Sequence, residues 1–530
     1  MIPSKPGSDA RLTFYTTCAL VLVATNAVAQ HSGPMMLDPA RLAHHVERFN
    51  AADEEDVVNL VPNSEAWDWI VAQAPLWECP AGQFEEIYYF RWWTYRKHIK
   101  QTPAGRVLTE FILPVSHAGP HNTVACAVGH HLAEGRWLWD QSLLDDYLMF
   151  WFRGGDHGGR AAHFHNFSSW VPAALYQRAL ATGDRALVRV LVDDLAADYQ
   201  AWVAERGTED GLFWQYDVRD GMEESISGSR RERHIRPTIN SYMAANAAAI
   251  SRIAHWAGQT ELAAEYAAKA GDLRKRMIDA LWDEEAQFFK VRRADGAISD
   301  AREAIGYIPW MFELARPQHA SAWAQIRDPQ GFWAPWGLTT AERRHPAFRT
   351  HGTGTCEWDG AIWPFATSQT LTGLANLLRG PEQRFVSRRD FFELMLAYAR
   401  SHQVDGVAYL GEYLDETTGQ WLITGPKAQR SRFYNHSTFN DLVITGLAGL
   451  VPREDDVIEA APLVPDDGWD WFCLDGVPYH GRSVTIVWDR DGRRYGRGAG
   501  LSLWVDGVEA ARSPRLERLT ATLPPATSAE

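Results

Sequence analysis

Two short acidic segments set among aromatic residues contain the side chains best suited to acid–base chemistry. They are residues 220–225, Asp-Gly-Met-Glu-Glu-Ser, and residues 411–415, Gly-Glu-Tyr-Leu-Asp. Hydrolysis of a glycosidic bond needs two separate carboxyl groups, because one gives a proton to the departing oxygen while the other activates water or attacks the anomeric carbon. The two segments therefore predict a glycoside hydrolase.

Helical hairpins are the elements that must position these segments. Apolar residues recur at helical spacing between short polar turns, and this pattern predicts three hairpins. They comprise residues 170–180 with 185–204, 238–257 with 261–282, and 361–378 with 390–402. The first helix of several hairpins is apolar nearly all round, whereas its partner carries charged residues on one side, so we expect inner helices surrounded by outer ones.

An acidic turn followed by aromatic residues recurs between the hairpins. It is found at residues 209–214, 283–289 and 415–421. We interpret each copy as a short turn or β-hairpin that separates one helix from the next loop.

The sequence pattern changes after Pro452 from helical spacing to strand-like alternation. Residues 483–488 and 501–505 alternate apolar and polar side chains and are followed by Asp-Gly turns, which favour antiparallel hairpins. Residues 456–530 are therefore predicted to form a small β-sandwich-like domain that packs on a helical domain of residues 30–455. The last dozen residues, rich in Pro, Ser and Ala, are predicted to be disordered.

The first 29 residues have the pattern of a cleaved signal peptide. Lys5 and Arg11 precede an apolar run over residues 12–24, and Ala-Val-Ala at residues 27–29 supplies a cleavage motif. The run is shorter than the roughly 20 apolar residues that span a bilayer. We expect a periplasmic or secreted protein that has no membrane contact after cleavage.

The composition of the chain indicates which class of molecule it is expected to bind. With 52 basic and 67 acidic residues the net charge is -15, which provides no surface for binding a phosphate backbone, so nucleic acid is not an expected partner. The 24 tryptophans suit a neutral oligosaccharide, since indole rings stack on the apolar faces of sugars. A monomer or weak oligomer is expected.

Neither cysteine nor histidine spacing suggests a metal or a cofactor. Cys79, Cys126, Cys356 and Cys473 are isolated from one another, and we expect buried thiols, with one or two disulfides left open. The histidine clusters lack the spacing of a helical zinc site, and the chain has no Gly-x-Ser-x-Gly elbow, phosphate-binding loop or dinucleotide motif.

Four segments, taken in order, resemble the clan of helical-toroid glycosidases that contains glycoside hydrolase family 63, with mannosylglycerate hydrolases and processing α-glucosidases, and the trehalases. These are residues 220–225, residues 236–242 (Arg-Pro-Thr-Ile-Asn-Ser-Tyr), residues 358–364 (Trp-Asp-Gly-Ala-Ile-Trp-Pro), and residues 411–413 together with Thr418 and Gly419. The resemblance covers roughly residues 80–450. It implies an (α/α)6 barrel, a mainly α fold to which the chain adds a small C-terminal antiparallel β domain.

The resemblance also implies catalytic roles. Glu223 occupies the position of the general acid, where the clan usually has Asp, so Asp220 and Glu224 remain alternatives. Glu412 occupies the position of the general base. If the clan's stereochemistry carries over, the enzyme is exo-acting and inverting, and its two carboxyl groups stand about 6.5–9.5 Å apart.

Eight residues are predicted to bind substrate: Trp358, Asp359, Trp363, Arg236, Asn240, Tyr413, His436 and Trp170. Trp358, Asp359 and Trp363 are expected to line the glycone pocket, since a carboxylate can bind adjacent hydroxyls while indole covers a C–H face. A buried structural residue is the alternative for each Trp. Arg236 is interpreted either as a contact to sugar or acid, or as one half of an ion pair with a nearby glutamate. His436 is either a sugar contact or a hydrogen-bonding residue at a helix end.

Two other functions remain open from the sequence. A polysaccharide lyase on a similar toroid would need a Tyr or His base and a basic groove for uronates, and the net acidity argues against it. A sugar-binding protein without catalysis is the third hypothesis. The identity of the sugar is not determined, because clan members act on glucosides, mannosides and furanosides on one fold.

Overall fold

The computed structural model describes Met1, His31 and residues 33–154, 159–352 and 356–524. Apart from Met1, the predicted signal peptide lies outside the described residues. The same holds for the end of the chain after residue 524.

Fourteen α-helices occur in the described part of the chain. They are α1 Ala43–Ala52, α2 Ala66–Gln73, α3 Gly82–Lys97, α4 Val128–Gly135, α5 Ser142–Arg153, α6 Val171–Thr182, α7 Ala186–Arg206, α8 Pro237–Trp256, α9 Thr260–Leu281, α10 Ile308–Met311, α11 Pro364–Arg379, α12 Arg388–Ser401, α13 Pro426–Ser431 and α14 Phe439–Leu442. A π-helical turn, Val443–Leu447, continues α14. The three predicted hairpins are confirmed as α6–α7, α8–α9 and α11–α12.

Six of these helices contact one another in a closed order. Helices α4, α6, α8, α10, α11 and α14 each touch the next, and α14 touches α4. The pair α8 and α9 shows the difference between inner and outer helices, because 16 of 20 residues are buried in α8 and five of 22 in α9. The structure is thus rich in helices, and in this pair the inner helix has the more apolar sequence.

The starts of five inner helices lie together, since ring contacts join His130 in α4, Trp170 before α6, Tyr242 in α8, Phe365 in α11 and His436 before α14. Pro237 and Pro364 occupy the first positions of α8 and α11, where the missing N–H and the fixed φ of proline suit a helix start. The segments that precede the inner helices are therefore gathered at one end. These segments include residues 168–170 and 435–438.

Seventeen strands complete the structure. They are β1 Leu76–Glu78, β2 Ile99–Thr102, β3 Gly105–Leu108, β4 Trp214–Gln215, β5 His234–Ile235, β6 Trp282–Asp283, β7 Phe288–Phe289, β8 Trp333–Ala334, β9 Gly337–Leu338, β10 Gln403–Val404, β11 Val407–Ala408, β12 Val457–Ala460, β13 Trp471–Tyr479, β14 Arg482–Asp489, β15 Gly500–Val505, β16 Val508–Ser513 and β17 Leu519–Thr522, all within the described ranges. All pairings between them are antiparallel. The three recurring acidic turns are confirmed. Residues 283–289 lie in the β6–β7 hairpin. Isolated β-bridges close the other two turns: Gly207 pairs with Phe213 around residues 209–214, and Leu414 pairs with Trp421 around residues 415–421.

The C-terminal strands form a five-stranded sheet in the order β1-β13-β14-β15-β16 and a separate pair of β12 and β17. The predicted strands at 483–488 and 501–505 lie in β14 and β15. One edge of the sheet comes from the N-terminal part of the chain, because Trp77 in β1 pairs with Leu474 in β13. Backbone hydrogen bonds therefore join this sheet to a strand that lies between helices α2 and α3.

The prediction of disorder over the last dozen residues is wrong for its first part. Residues 519–522 form β17, which pairs with Val457–Ala460. The pairing with a strand about sixty residues earlier satisfies the backbone groups, and a local composition rule does not detect such a partner. Residues 525–530 lie outside the described part of the chain.

Cys79, Cys126, Cys356 and Cys473 are free thiols, so no disulfide joins these four described cysteines. Across the described ranges no helix combines the length and the apolar character needed to cross a bilayer.

Candidate active site

The fold brings the two predicted acidic segments within electrostatic reach of each other. Glu223 lies in the loop after β4, and Glu412 lies between β11 and α13. The charge of Glu412 contributes to raising the pKa of Glu223. Burial raises the pKa of the Cys356 thiol to about 12, and both glutamates add to that shift. The fold therefore brings the two carboxyl groups close together.

Glu223 is placed to hold a proton near neutral pH. Burial raises its pKa to about 7, and nearby Asp217 and Glu412 add to the increase, while its own backbone N–H and Arg230 oppose it. Its carboxyl group makes no hydrogen bond to another side chain of the described residues. A carboxyl group in this environment can donate a proton to a leaving oxygen.

Glu412 has partners that offset part of the effect of its burial. Burial raises its pKa, while the hydroxyl of Ser431 donates a hydrogen bond to Oε1 and the charges of Arg430 and Lys427 oppose the increase. Glu223 has no equivalent side-chain hydrogen bond within the described residues. The two carboxyl groups therefore differ in their partners, although burial raises the pKa of both.

Asp220 forms an ion pair in the protein interior. The Nε of Arg236 donates to Oδ2 of Asp220 at 2.6 Å, and both side chains are fully buried. Burial raises the pKa of Asp220, and the guanidinium opposes that shift. Of the two interpretations of Arg236, the ion pair is the one observed, with Asp220 rather than a glutamate as partner.

Glu224 is also engaged in an ion pair. Its Oε1 lies 2.7 Å from Nη2 of Arg230, and its backbone has a φ of 64°, a left-handed conformation that is uncommon for a residue with a side chain. Among Asp220, Glu223 and Glu224, only Glu223 has no ion-pair partner in the described part of the chain.

We expect Asp220→Asn to destabilise the protein by about 3–5 kcal/mol, because it leaves the guanidinium of Arg236 buried without a counter-charge. Glu224→Gln serves as the matched control. It removes a partly exposed pair, and we expect a loss of about 1 kcal/mol or less. Urea unfolding followed by circular dichroism measures both changes. If the free energy of unfolding fell by the same amount in both variants, the buried Asp220–Arg236 pair would contribute no more to stability than the partly exposed Glu224–Arg230 pair.

An aromatic stack joins the loop before α11 to the segment that contains Glu412. Trp358 and Trp363 stack with ring centroids 4.6 Å apart, and Trp363 stacks on Tyr413 at the same distance. Ile362 and Leu414 exchange backbone hydrogen bonds of 3.0 Å. All three rings are buried. The stack therefore holds Tyr413, the residue after Glu412, in a fixed position.

Asp359 keeps one oxygen available for a ligand. Its Oδ2 accepts hydrogen bonds from the backbone N–H and the Nδ1 of His351, at 3.0 and 2.8 Å. Its Oδ1 is buried and has no hydrogen-bond partner in the described residues, and the same is true of Nε1 of Trp358. The role of this loop in binding sugar hydroxyls stays a prediction, which these two unpartnered atoms could serve.

A second aromatic cluster surrounds Phe365, the second residue of α11. His130 lies 4.2 Å from the Phe365 ring, Trp170 lies 4.9 Å from His130, and His436 lies 5.9 Å from Phe365. Burial lowers the pKa of both histidines well below 6.5, so they are neutral. Both ring nitrogens of His130 and Nε2 of His436 lack partners among the described residues. Neutral imidazoles can both donate to and accept from sugar hydroxyls.

Asn240 does not have the role predicted for it. Its Oδ1 accepts from the backbone N–H of Phe213 at 2.9 Å, and its Nδ2 donates to the carbonyls of Phe213 and Arg236. The side chain is fully buried. Since the backbone uses both ends of the amide, Asn240 is a structural residue, and the prediction of a substrate contact is wrong.

Sequence reasoning missed a third carboxyl group in the pocket. Glu110 follows β3 and is 2% exposed. Burial raises its pKa to about 8, with a hydrogen bond from Tyr434 opposing and the charges of Glu412 and Glu223 adding to the shift. A single glutamate after a β-hairpin carries no recognisable motif. His130 was also missed, because a single histidine carries no recognisable motif either.

Comparison with known proteins places the chain in a family. The domain family described as mannosylglycerate hydrolase MGH1-like glycoside hydrolase matches residues 120–437, which is more than half of the chain. The chain belongs to this glycoside hydrolase family. The family is one of glycosidases, which favours a glycosidase over the lyase and over a protein that only binds sugar. Residues 452–511 match the C-terminal domain of glycosyl hydrolase family 65.

Individual relatives agree with this assignment. A probable mannosyl-oligosaccharide glucosidase of Schizosaccharomyces pombe is 24% identical over 247 residues, which are 42% of this chain. A solved structure named sialidase is 48% identical, with a TM-score of 0.89 over 92% of this chain. The family 78 rhamnosidase of Bacillus sp. GL1 is 14% identical over 81% of this chain, with a TM-score of 0.52, and shows a common fold.

The relatives are longer proteins. The chain spans 30% of the glucosidase, 45% of the sialidase structure and 41% of the rhamnosidase. The activity in the name of each relative belongs to that whole protein.

Proposed function

We propose that this protein is an exported, exo-acting and inverting glycosidase in which Glu223 is the general acid and Glu412 the general base. The observation that carries the proposal is that two buried carboxyl groups from remote segments interact electrostatically but have different partners. Burial raises the pKa of Glu223 to about 7 with no side-chain hydrogen bond, whereas a hydrogen bond from Ser431 and the charges of Arg430 and Lys427 offset part of the increase that burial causes in the pKa of Glu412. Glu223 then protonates the leaving oxygen while Glu412 takes a proton from the attacking water.

The closed order of six inner helices supports an (α/α)6 barrel. Such a barrel presents one pocket at the end where its inner helices begin. Buried rings cluster around Phe365 at the start of α11, where they would close the inner end of such a pocket. A pocket that is closed at its inner end accepts the terminal residue of a saccharide chain, which supports exo-action.

The remaining parts of the proposal rest on the sequence. The pattern of residues 1–29 supports export to the periplasm or the medium. Inversion follows the resemblance to the clan and requires that a water molecule fit between Glu412 and the anomeric carbon. We propose that the protein acts as a monomer or weak oligomer on an oligosaccharide or glycoside.

A panel of substrates followed by NMR tests the proposal. The relatives are named as a glucosidase, a rhamnosidase and a sialidase, so the panel contains aryl glucosides, mannosides, rhamnosides, sialosides and furanosides together with oligosaccharides. We expect release of a terminal sugar from one class, and the first product formed has the opposite anomeric configuration to the substrate. Release of internal fragments contradicts exo-action, and retention of configuration contradicts Glu412 as a base.

A further inference from the structure

Glu110 is a buried glutamate without a cationic partner. It is 2% exposed and forms no ion pair with another described residue, and no cation contributes to its pKa. The similarly buried Glu134, by contrast, pairs with Arg91 at 2.6 Å. Burial of a carboxyl group without a counter-charge costs folding free energy, and such groups are concentrated at functional sites. The unpaired state of Glu110 therefore suggests a function.

The backbone around Glu110 is fixed beside the segment that supports the proposed base. The carbonyl of Glu110 accepts a hydrogen bond from the backbone N–H of Asn435 at 2.9 Å. The backbone N–H of Ile112 donates to the carbonyl of the residue before Ser431, at 3.3 Å. Ser431 in turn donates its hydroxyl to Glu412. These contacts hold Glu110 close to the proposed base, although the two residues are remote in the sequence.

The carboxyl group of Glu110 lies within electrostatic reach of both proposed catalytic glutamates. Burial raises its pKa to about 8, and the charges of Glu412 and Glu223 add to the increase. Burial also raises the pKa of the Cys126 thiol, with the charges of Glu110 and Glu223 adding to it. Because a third charge beside the other two carboxyl groups is unfavourable, Glu110 is protonated near neutral pH.

Tyr434 determines which atom of Glu110 is left for a ligand. The ring of Tyr434 lies 4.6 Å from that of Phe111 and 3.8 Å from that of His436, so its hydroxyl is held in place. A protonated carboxyl group has a carbonyl oxygen that accepts and an O–H that donates. Tyr434 donates a hydrogen bond to this carboxyl group. The O–H of Glu110 is therefore left to donate outward.

We propose that the carboxyl O–H of Glu110 donates a hydrogen bond to the hydroxyl on the carbon next to the anomeric carbon of the terminal sugar. The inference rests on the proposed function, which places the anomeric carbon between Glu223 and Glu412. A group close to both glutamates is close to that carbon and to the hydroxyl of its neighbour. Hydrogen bonds to this hydroxyl strengthen in the oxocarbenium-like transition state.

The inference restricts the class of substrate. Glucosides, mannosides, rhamnosides and furanosides carry a free hydroxyl on the carbon next to the anomeric carbon. In a sialoside the corresponding ring carbon is a CH2 group, which cannot accept a hydrogen bond. The enzyme is accordingly selective for the first group of glycosides, and we expect no hydrolysis of sialosides.

Two competing roles for Glu110 predict different results. If Glu110 only holds Tyr434 in place, its replacement affects glycosides with and without the hydroxyl equally. If Glu110 acts as a charged second base, Glu110→Gln is as inactive as Glu110→Ala. The proposed donor role predicts instead that Gln replaces Glu, because the amide N–H donates a hydrogen bond in the position of the O–H.

The test compares an aryl glycoside of the sugar that the enzyme accepts with its 2-deoxy analogue. We expect Glu110→Ala to lower kcat/KM for the parent glycoside by about tenfold to a hundredfold, as for a hydrogen bond that strengthens in the transition state. The same variant changes kcat/KM for the 2-deoxy analogue by about threefold or less, because the interaction is already absent. Glu110→Gln retains most of the activity on the parent. Glu382→Ala, on the exposed connection between α11 and α12, leaves both values unchanged.

An equal loss for both glycosides in Glu110→Ala overturns the inference, and so does a loss in Glu110→Gln as large as that in Glu110→Ala. Hydrolysis of a sialoside as fast as that of the best other glycoside also overturns it. Each of these results leaves the proposed function standing.

Calorimetry with glucose, rhamnose and their 2-deoxy analogues keeps the test independent of turnover. Tighter binding of a sugar than of its 2-deoxy analogue, retained in Glu110→Gln and lost in Glu110→Ala, supports the inference. Equal binding of each sugar and its analogue by the wild type contradicts it. Absence of hydrolysis for every glycoside contradicts the proposed function instead, and the binding data still decide whether Glu110 binds the hydroxyl.

Discussion

Glu412→Gln is expected to lower kcat by about a hundred- to ten-thousandfold, the usual contribution of a general base, while sugar affinity stays within about threefold of the wild type. The amide has nearly the same shape as the carboxylate and retains a hydrogen-bonding oxygen for Ser431, but it cannot accept a proton from water. Initial rates and calorimetric binding of the product sugar measure the two quantities.

Glu382→Gln is the matched control for this substitution. Glu382 is an exposed residue between α11 and α12, so its variant should keep full activity. Undiminished hydrolysis by Glu412→Gln would eliminate Glu412 as the base. A parallel loss of sugar binding would instead indicate that Glu412 holds the substrate.

Glu223→Gln is expected to have an effect that depends on the leaving group. For an alkyl glycoside or an oligosaccharide, whose leaving oxygen must be protonated, we expect kcat/KM to fall by about a thousandfold. A dinitrophenolate departs without a proton, so hydrolysis of the dinitrophenyl glycoside should fall by about tenfold or less. Rates for a series of leaving groups of increasing basicity measure this difference.

The pH profile gives a second signature of the acid. Glu223 acts in its protonated form, and burial raises its pKa to about 7, so activity should decrease as the pH rises through about 7. Glu223→Gln should lose this alkaline limb. Glu224→Gln is the control, because Glu224 is paired with Arg230. If Glu224→Gln rather than Glu223→Gln shows the dependence on the leaving group, the adjacent glutamate is the acid.

Local patterns were sufficient for much of the fold. Helical hairpins are predicted well because the burial of an inner helix appears directly in its composition, as in α8, and because Pro237 and Pro364 indicate where inner helices begin. The strands β14 and β15 were predicted from alternation and turn residues. The strand β17 was missed because its partner, β12, lies far away in the sequence.

The roles of polar residues were predicted less well, because the type of a residue does not reveal which groups it contacts in the folded chain. Asn240 lies in a motif that resembles a substrate-contacting segment, yet the backbone of Phe213 uses its amide completely. Glu110 and Arg430 carry no motif, and their importance comes from segments remote in the sequence that pack beside Glu412.

The sequence by itself determined the helical hairpins and the glycosidase class, since these depend on local spacing and residue type, and it offered two acidic segments as the source of the carboxyl groups. Only the tertiary structure distinguished Asp220, Glu223 and Glu224 from one another. It paired Asp220 with Arg236 in the interior and Glu224 with Arg230, and it left Glu223 without an ion-pair partner among the described residues and near Glu412, which accepts a hydrogen bond from Ser431. The physical reason is that the pKa of a carboxyl group depends on its burial and on the charges around it, and in a folded chain most of those charges come from distant residues.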